Sequence, residues 1–146
     1  MPSARCSRRV SESCGRVCRG LGVEQLNARP AGGDTNSIAV IVTHALRSTR
    51  SWLSLAVGAT QPDRDRPAEF RAVADDGFAA WTEGAIAGCL GLLDGAMWDP
   101  ARSVTPNWIT PVETRTAAYA AAHALSHLGE HVGHLHMTLE LLRDGA

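Results

Sequence analysis

Histidines are concentrated in one short stretch of this chain, residues 120–142, which reads AAAHALSHLGEHVGHLHMTLELL and holds five of the six. An α-helix turns by about 100° per residue, so four of these five share one face. They are His123, His127, His131 and His134. His136 points elsewhere. Because residues i and i+4 of a helix lie one above the other, His127 and His131 can direct two imidazole nitrogens at one divalent cation.

A good metal site needs a third ligand from another helix, and His44 is the one histidine outside this stretch. Three neutral imidazoles on zinc, nickel or iron leave at least one coordination position open, which is typical of catalytic rather than structural sites. An open cation lowers the pKa of a ligating water or thiol and so creates a nucleophile at cellular pH. A lone histidine beside Ser48 and Ser51 is otherwise more often a core or rim residue. The interpretation of His44 therefore depends on the last helix.

Three neighbours of the two ligands on this helix receive supporting roles. Glu130 lies about 20° from His123 on the helical wheel, where it can act as a general base or hold a ligand by a hydrogen bond. His123 and His134 extend the row by a turn on either side, and we expect them to line the pocket or support the ligands. The alternative is a solvated polar strip. The row borders an apolar stripe, however, which favours a site at the edge of the core.

The string His127-Leu-Gly-Glu130-His131 also fits the H-x-x-E-H signature of inverzincin peptidases, in which two histidines bind zinc and the glutamate activates water. The match is short, and the chain offers neither a convincing edge strand for a peptide nor a distal acidic ligand. A metallopeptidase is therefore the least favoured alternative.

Apolar residues at helical spacing predict the helix that carries His44. It begins at Thr35 or Asn36, where side chains that form helix caps precede the apolar run, and it continues to about Val57. A helix start at Asp65, followed by a proline two residues later, leads into a third helical segment that is predicted to cover residues 75–93.

Residues 95–112 are rich in proline and have no helical period, so they are predicted to form a long crossover with a short hairpin around Trp98 and Trp108. Thr114 or Thr116 caps the next helix, which carries the histidine row. The chain is therefore predicted to be all-α, with a long crossover between helices 3 and 4.

Residues 1–20 are predicted to form an irregular or weak first helix. They are rich in arginine, serine and cysteine, and Cys6, Cys14 and Cys18 recur on one narrow face. A cysteine metal site is conceivable, but no CxxC pair is present. We therefore interpret these cysteines as small buried hydrophobic residues.

Composition limits the classes of function. The chain has 146 residues and a net charge of -1, which suits one domain and excludes the broad basic field that non-specific nucleic-acid binding requires. It has no apolar run of about 18 residues, so we expect no membrane span, and its arginine-rich start lacks the apolar segment of a secretion signal. We expect a cytoplasmic protein whose cysteines remain thiols.

Three segments together resemble the DinB-like superfamily, which includes S-transferases that use mycothiol or bacillithiol. They read TNSIAVIVTHALRSTRSWL, RDRPAEF and HALSHLGEHVGHLHMTLELL. The resemblance covers roughly residues 21–142 and implies a four-helix bundle, often dimeric, that binds a divalent metal through helix-borne ligands. Carried over by position, the ligands are His44, His127 and His131. His134 matches a place where histidine or glutamine follows the second ligand. The bundle domain would be residues 21–146, because residues 1–20 are less apolar than the family's first helix.

Two functions of different classes follow from these observations. In the first, the metal activates a low-molecular-weight thiol or water for attack on a small electrophile, in a pocket lined by Trp52 and Trp81, so that the protein is a thiol-dependent transferase or a hydrolase. In the second, it binds metal without turnover, as a stress or interaction protein. We expect zinc, with nickel or iron as alternatives, a small-molecule substrate, a homodimer, and no nucleic-acid or membrane partner.

Overall fold

The computed structural model describes residues 4–30, 33, 35–94, 96–109 and 111–144. Within these residues the protein is almost entirely helical, which confirms the predicted all-α class. The four long helices are α1 (Ala4–Arg19), α3 (Ile38–Val57), α5 (Phe78–Gly91) and α6 (Ala117–Asp144). The short ones are α2 (Val23–Asn27) and α4 (Arg66–Glu69). Two strands, β1 (Ser103–Val104) and β2 (Arg115–Thr116), lie in the crossover between α5 and α6.

The four long helices form a bundle in which α1 and α3 each pack against both α5 and α6. The most extensive contact joins α3 to α6, the two helices that carry the candidate ligands. α3 is also the most deeply buried helix. Arg47 and Arg50 are its only exposed residues, and even Ser48, Thr49 and Ser51 are buried. Burial extends beyond the apolar residues of this helix, because neighbours pack on both of its sides.

Both ends of α3 are set by local chemistry. The Ser37 hydroxyl accepts a hydrogen bond from the Val40 amide at 3.3 Å, so the cap lies one or two residues after the predicted Thr35 or Asn36, and the helix begins at Ile38. At the other end Gly58 adopts a left-handed conformation with φ +76°, and its amide donates to the carbonyl of Leu55. Glycine reaches this conformation without the steric cost that a Cβ imposes.

The crossover is attached to the end of α3. Arg102 donates from its Nη2 to the carbonyl oxygens of Leu55 and Ala56, at 2.7 and 3.0 Å, and so adds a positively charged donor to the last turn of the helix. The strands pair in antiparallel register, with Ser103 opposite Thr116. The hairpin therefore encloses Trp108, whereas Trp98 lies outside it, which corrects part of the prediction. Thr116, one of the two predicted caps of the last helix, accepts a hydrogen bond from the Tyr119 amide.

The first helix buries two of its cysteines. Cys14 and Cys18 are 1% and 2% exposed and belong to the main apolar core. Burial raises the pKa of Cys14 to about 12 and also raises that of Cys18, so both thiols stay protonated and pack as small apolar groups. The Cys6 side chain lies outside the described residues. In the ranges given above, none of the helices has both the length and the apolar composition that crossing a bilayer requires.

We predict that Gly58→Ala destabilises the protein by about 1–2 kcal/mol, because alanine is strained in the left-handed region. The added Cβ would also lie 3.3 Å from the Arg102 guanidinium carbon. Gly84→Ala is the matched control, since Gly84 lies within α5 and an added Cβ meets nothing within 4 Å. That change should stabilise the protein by about 0.5–1 kcal/mol. Urea unfolding measures both changes in the free energy of unfolding. Equal effects of the same sign would contradict the role of Gly58 as a left-handed helix cap.

Candidate metal centre

Three histidine rings from two helices meet at the α3–α6 contact. His44 comes from α3, and His127 and His131 come from successive turns of α6. One nitrogen from each ring lies within 4.8 Å of the other two. The Nε2 atoms of His127 and His131 are 3.2 Å apart, close to the roughly 3.3 Å that separates two nitrogens bound to one tetrahedral zinc ion. The structure thus brings together the three residues proposed as ligands from the sequence. His44, His127 and His131 are called the triad below.

A buried carboxylate orients the His44 ring. The Nδ1 atom of His44 lies 2.8 Å from Oε2 of Glu69, and the two side chains are 6% and 0% exposed. If Nδ1 carries the proton and donates it to this carboxylate, the lone pair of the ring is on Nε2, which is then free to bind a cation. A carboxylate behind a metal-binding histidine commonly has this role.

Glu69 is itself held by an arginine. Arg64 donates to both carboxylate oxygens, from Nε at 2.8 Å and from Nη2 at 3.0 Å. Burial by itself raises the pKa of Glu69, but the hydrogen bonds from His44 and Arg64 outweigh it and lower the pKa below its ordinary value. The carboxylate therefore stays ionised at neutral pH and remains a hydrogen-bond acceptor for the His44 ring.

Sequence reasoning missed Glu69 and Arg64, although both lie in the segment RDRPAEF. Asp65 caps α4, as predicted, and the proline two residues later lies in its first turn. This single turn of helix brings the Glu69 side chain to His44 of α3. The only available signal was a glutamate and an arginine five residues apart around a helix start. No spacing rule relates that pattern to a histidine 25 residues earlier.

The chemistry of the two α6 histidines fits a divalent cation. Burial, followed by the positive charge of neighbouring histidines, lowers the pKa of His127 to about 3 and that of His131 to about 4. Both rings are therefore neutral at pH 7, as metal ligands must be. Their Nδ1 atoms are buried and have no hydrogen-bond partner among the described residues, while their Nε2 atoms face each other. Two facing lone pairs repel, and a shared proton or cation relieves that repulsion.

The rest of the histidine row follows the predicted face of α6. The ring of His123 lies 5.6 Å from that of His127, and the ring of His134 lies 5.4 Å from that of His131, measured between centroids. Glu130 is exposed, and its Oε1 accepts a hydrogen bond from Ser126 at 3.4 Å. Its carboxylate is not among the groups that line the cavities beside the triad, and its role as a base stays a prediction.

Two cavities flank the triad. One, of about 480 Å³, is lined by His44 and His127 and extends toward the crossover. The other, of about 380 Å³, is lined by His44 and His131 and extends toward the end of α6. Trp52 lines the first cavity and contacts the His123 ring at 4.3 Å, as the pocket prediction required.

Trp81 does not line either of the two cavities. It stacks on Phe78, with 5.4 Å between ring centroids, and borders a separate cavity between α3 and α5. Helical periodicity indicated that Trp81 is partly buried, but periodicity does not reveal which neighbouring helix covers a residue. Its predicted place in the substrate pocket was therefore wrong.

We predict that Glu69→Gln weakens binding of zinc by about 10- to 100-fold, because the His44 ring loses the carboxylate that orients it. The change also leaves the buried Arg64 charge without its partner and should cost about 3–5 kcal/mol of stability. Zinc titration with a competing chelator and urea unfolding measure the two effects. Glu83→Gln is the control, since Glu83 pairs with Arg19 at the surface and its loss should cost less than about 1 kcal/mol. Unchanged zinc affinity in Glu69→Gln would contradict the orienting role.

The metal-free protein should lose stability as the pH falls from 6.5 toward 4. In this window the unfolded histidines, with a pKa near 6.5, bind protons that His127 and His131 exclude in the folded state. The unfolded state then binds more protons, so the free energy of unfolding decreases on acidification. Urea unfolding of chelator-treated protein across this range measures the slope. Replacing both residues by alanine should flatten it, whereas His136→Ala, on the exposed side of α6, should leave it unchanged.

Comparison with known proteins identifies the family. The model of the DinB superfamily matches residues 14–135 of this chain. A crystal structure described as the conserved protein of locus from Enterococcus faecalis shares the fold, with a TM-score of 0.72 and 18% identity over 97% of this chain and 95% of that one. No curated protein matches the sequence. The family match covers most of the chain and includes all three triad histidines, and the chain belongs to the DinB superfamily.

Proposed function

We propose that the protein is a metal-dependent enzyme in which His44, His127 and His131 hold one divalent cation, zinc by preference and nickel or iron as alternatives. The reaction is attack of a low-molecular-weight thiol, or of water, on a small electrophile in the larger cavity. One observation carries the proposal: the three nitrogens converge where the His44 and His127 rings line a cavity of about 480 Å³, and not in closed core. Structural zinc sites are closed, whereas catalytic ones keep an open position.

The ligand set supports a catalytic role. When bound, the cation supplies Lewis acidity that lowers the pKa of a ligating thiol or water. Three neutral imidazoles leave the full positive charge of the cation in place, and the Glu69 carboxylate is hydrogen-bonded behind His44 and does not belong to the ligand set. This arrangement suits stabilisation of an anionic nucleophile better than a set of thiolate ligands does.

His123 is placed to accept the proton that the nucleophile releases. It lines the same cavity as His44 and His127, and burial lowers its pKa although the charge of Glu130 opposes this. A neutral imidazole beside the reaction site can act as a general base. Glu130 remains the alternative base, and Glu130→Gln distinguishes it from His123→Ala by which variant changes the pH dependence of the rate.

The contacts favour small-molecule chemistry over peptide hydrolysis. Glu130, which would activate water in the H-x-x-E-H interpretation, is hydrogen-bonded to Ser126 on the exposed side of α6. In the described ranges the strands are two residues long each, which is too short to bind an extended peptide by strand addition. A cavity bounded by aromatic side chains suits a small ligand.

We predict that the zinc-loaded protein conjugates mycothiol or bacillithiol to electrophiles such as epoxides, alkyl halides and activated alkenes. His127→Ala should lose zinc and reduce the rate at least about 100-fold, because the nucleophile keeps its ordinary pKa without the cation. Zinc content and thiol consumption measure the two effects. His136→Ala is the control on the same helix and should keep both.

The other outcomes assign different roles. Equal turnover by His127→Ala would remove the triad from the mechanism. Loss of zinc with no thiol-dependent or hydrolytic activity in any variant, the original included, would favour the second function, a protein that binds metal without turnover.

A further inference from the structure

The two cavities beside the triad differ in charge. Four charged side chains line the larger one, and three of them are arginines, Arg64, Arg66 and Arg115, against the single carboxylate of Glu113. Among the residues that the structure describes, no arginine, lysine or carboxylate lines the smaller cavity, which is bounded mainly by apolar side chains such as Met137 and by histidines. A cation on the triad would add to the positive charge at the larger cavity. An anion is therefore attracted to that cavity and not to the smaller one.

The three arginines are not equivalent. Arg64 is engaged by Glu69 through two hydrogen bonds, and Arg115 forms an ion pair with Glu113. Arg66 lies over the Phe70 ring, with its guanidinium carbon 5.1 Å from the ring centroid, and pairs with no carboxylate in the part of the chain that the structure describes. Its neighbour Asp65 is used as the cap of α4 and does not line the cavity. Arg66 is thus the cation available to a ligand.

Aromatic side chains also line the larger cavity and contact one another to form an aromatic wall. Trp52 contacts Trp108 edge to face at 5.6 Å and Tyr119 at 6.0 Å, measured between ring centroids. Pro106 is fully buried beneath this wall. Such a surface offers flat apolar faces and edges against which a planar group can pack. A ligand that combines a planar body with one negative charge would therefore use both the aromatic wall and the free guanidinium.

We propose that the larger cavity binds a small organic carboxylate with a planar unsaturated body, whose carboxylate pairs with the Arg66 guanidinium while its body packs against Trp52 and Trp108. Guanidinium and carboxylate match in geometry and can form two parallel hydrogen bonds. The assignment of this ligand as the substrate depends on the proposed function. The binding itself does not, because Arg66 and the aromatic wall are present without a metal.

The test is calorimetric titration of the full-length protein with 2-naphthoate and with its neutral analogue 2-naphthamide, both metal-free and zinc-loaded. The carboxylate should bind about tenfold or more tightly than the amide in both forms, and Arg66→Gln should remove that preference. Arg66→Lys should keep part of it, since it retains the charge but not the fork. Arg71→Gln is the matched control, an exposed arginine in the turn after α4 that does not line the cavity.

Three results would overturn the proposal. Equal affinity for carboxylate and amide would show that the cavity does not select an anion. A preference that appears only with zinc and survives Arg66→Gln would place the carboxylate on the metal instead. An equal loss of the carboxylate preference in Arg71→Gln would indicate that general surface charge, and not Arg66, attracts the anion. If the protein prefers the carboxylate but does not bind zinc, the proposed metal-dependent function is contradicted and the anion site is supported.

Discussion

The site depends on the interactions of the buried Glu69 carboxylate with His44 and Arg64. Removing an ion of this kind from water costs several kcal/mol unless charged partners and hydrogen bonds replace the solvent. Arg64 supplies two hydrogen bonds and the compensating charge, and the ring of His44 occupies the remaining direction at 2.8 Å. The carboxylate thereby fixes the position of His44 and the nitrogen that it presents to the α6 histidines. Each partner satisfies a group that would otherwise be buried alone.

Burial of α3 makes this arrangement necessary. The helix is covered by α5 on one side and α6 on the other, so its polar side chains other than those of Arg47 and Arg50 are buried. His44 must be satisfied by protein groups or by a ligand, and the structure provides both possibilities, Glu69 at one nitrogen and the two α6 rings near the other. An unpaired polar group in the core of a bundle costs free energy, so the polar residues of the site are grouped at the α3–α6 contact, where they can pair with one another.

Membership of the DinB superfamily and the geometry of the triad describe different levels of function. The family match establishes which group of helical proteins this chain belongs to, and the remote structural neighbour shows only that the fold is shared. The larger cavity adds a more specific feature, a wall where Arg66 of α4 and Arg115 of the crossover meet aromatic residues from α3, the crossover and α6. Several of these residues lie on the connections between the long helices, which is where proteins commonly carry the groups that select a ligand.

The sequence by itself determined the class of fold, the helices that carry His44 and the histidine row, and the pair of α6 histidines, because helical periodicity and i, i+4 spacing are local properties. It also indicated His44, since that was the one histidine outside the last helix. Only the tertiary structure decided that α4 and the residue segment before it bring Glu69 and Arg64 into contact with each other and with His44. It also decided that Trp108, and not Trp81, lines the larger cavity, and that arginines outnumber carboxylates there. Those contacts join segments far apart in the chain, and they form only when the helices pack together, so no local pattern specifies them.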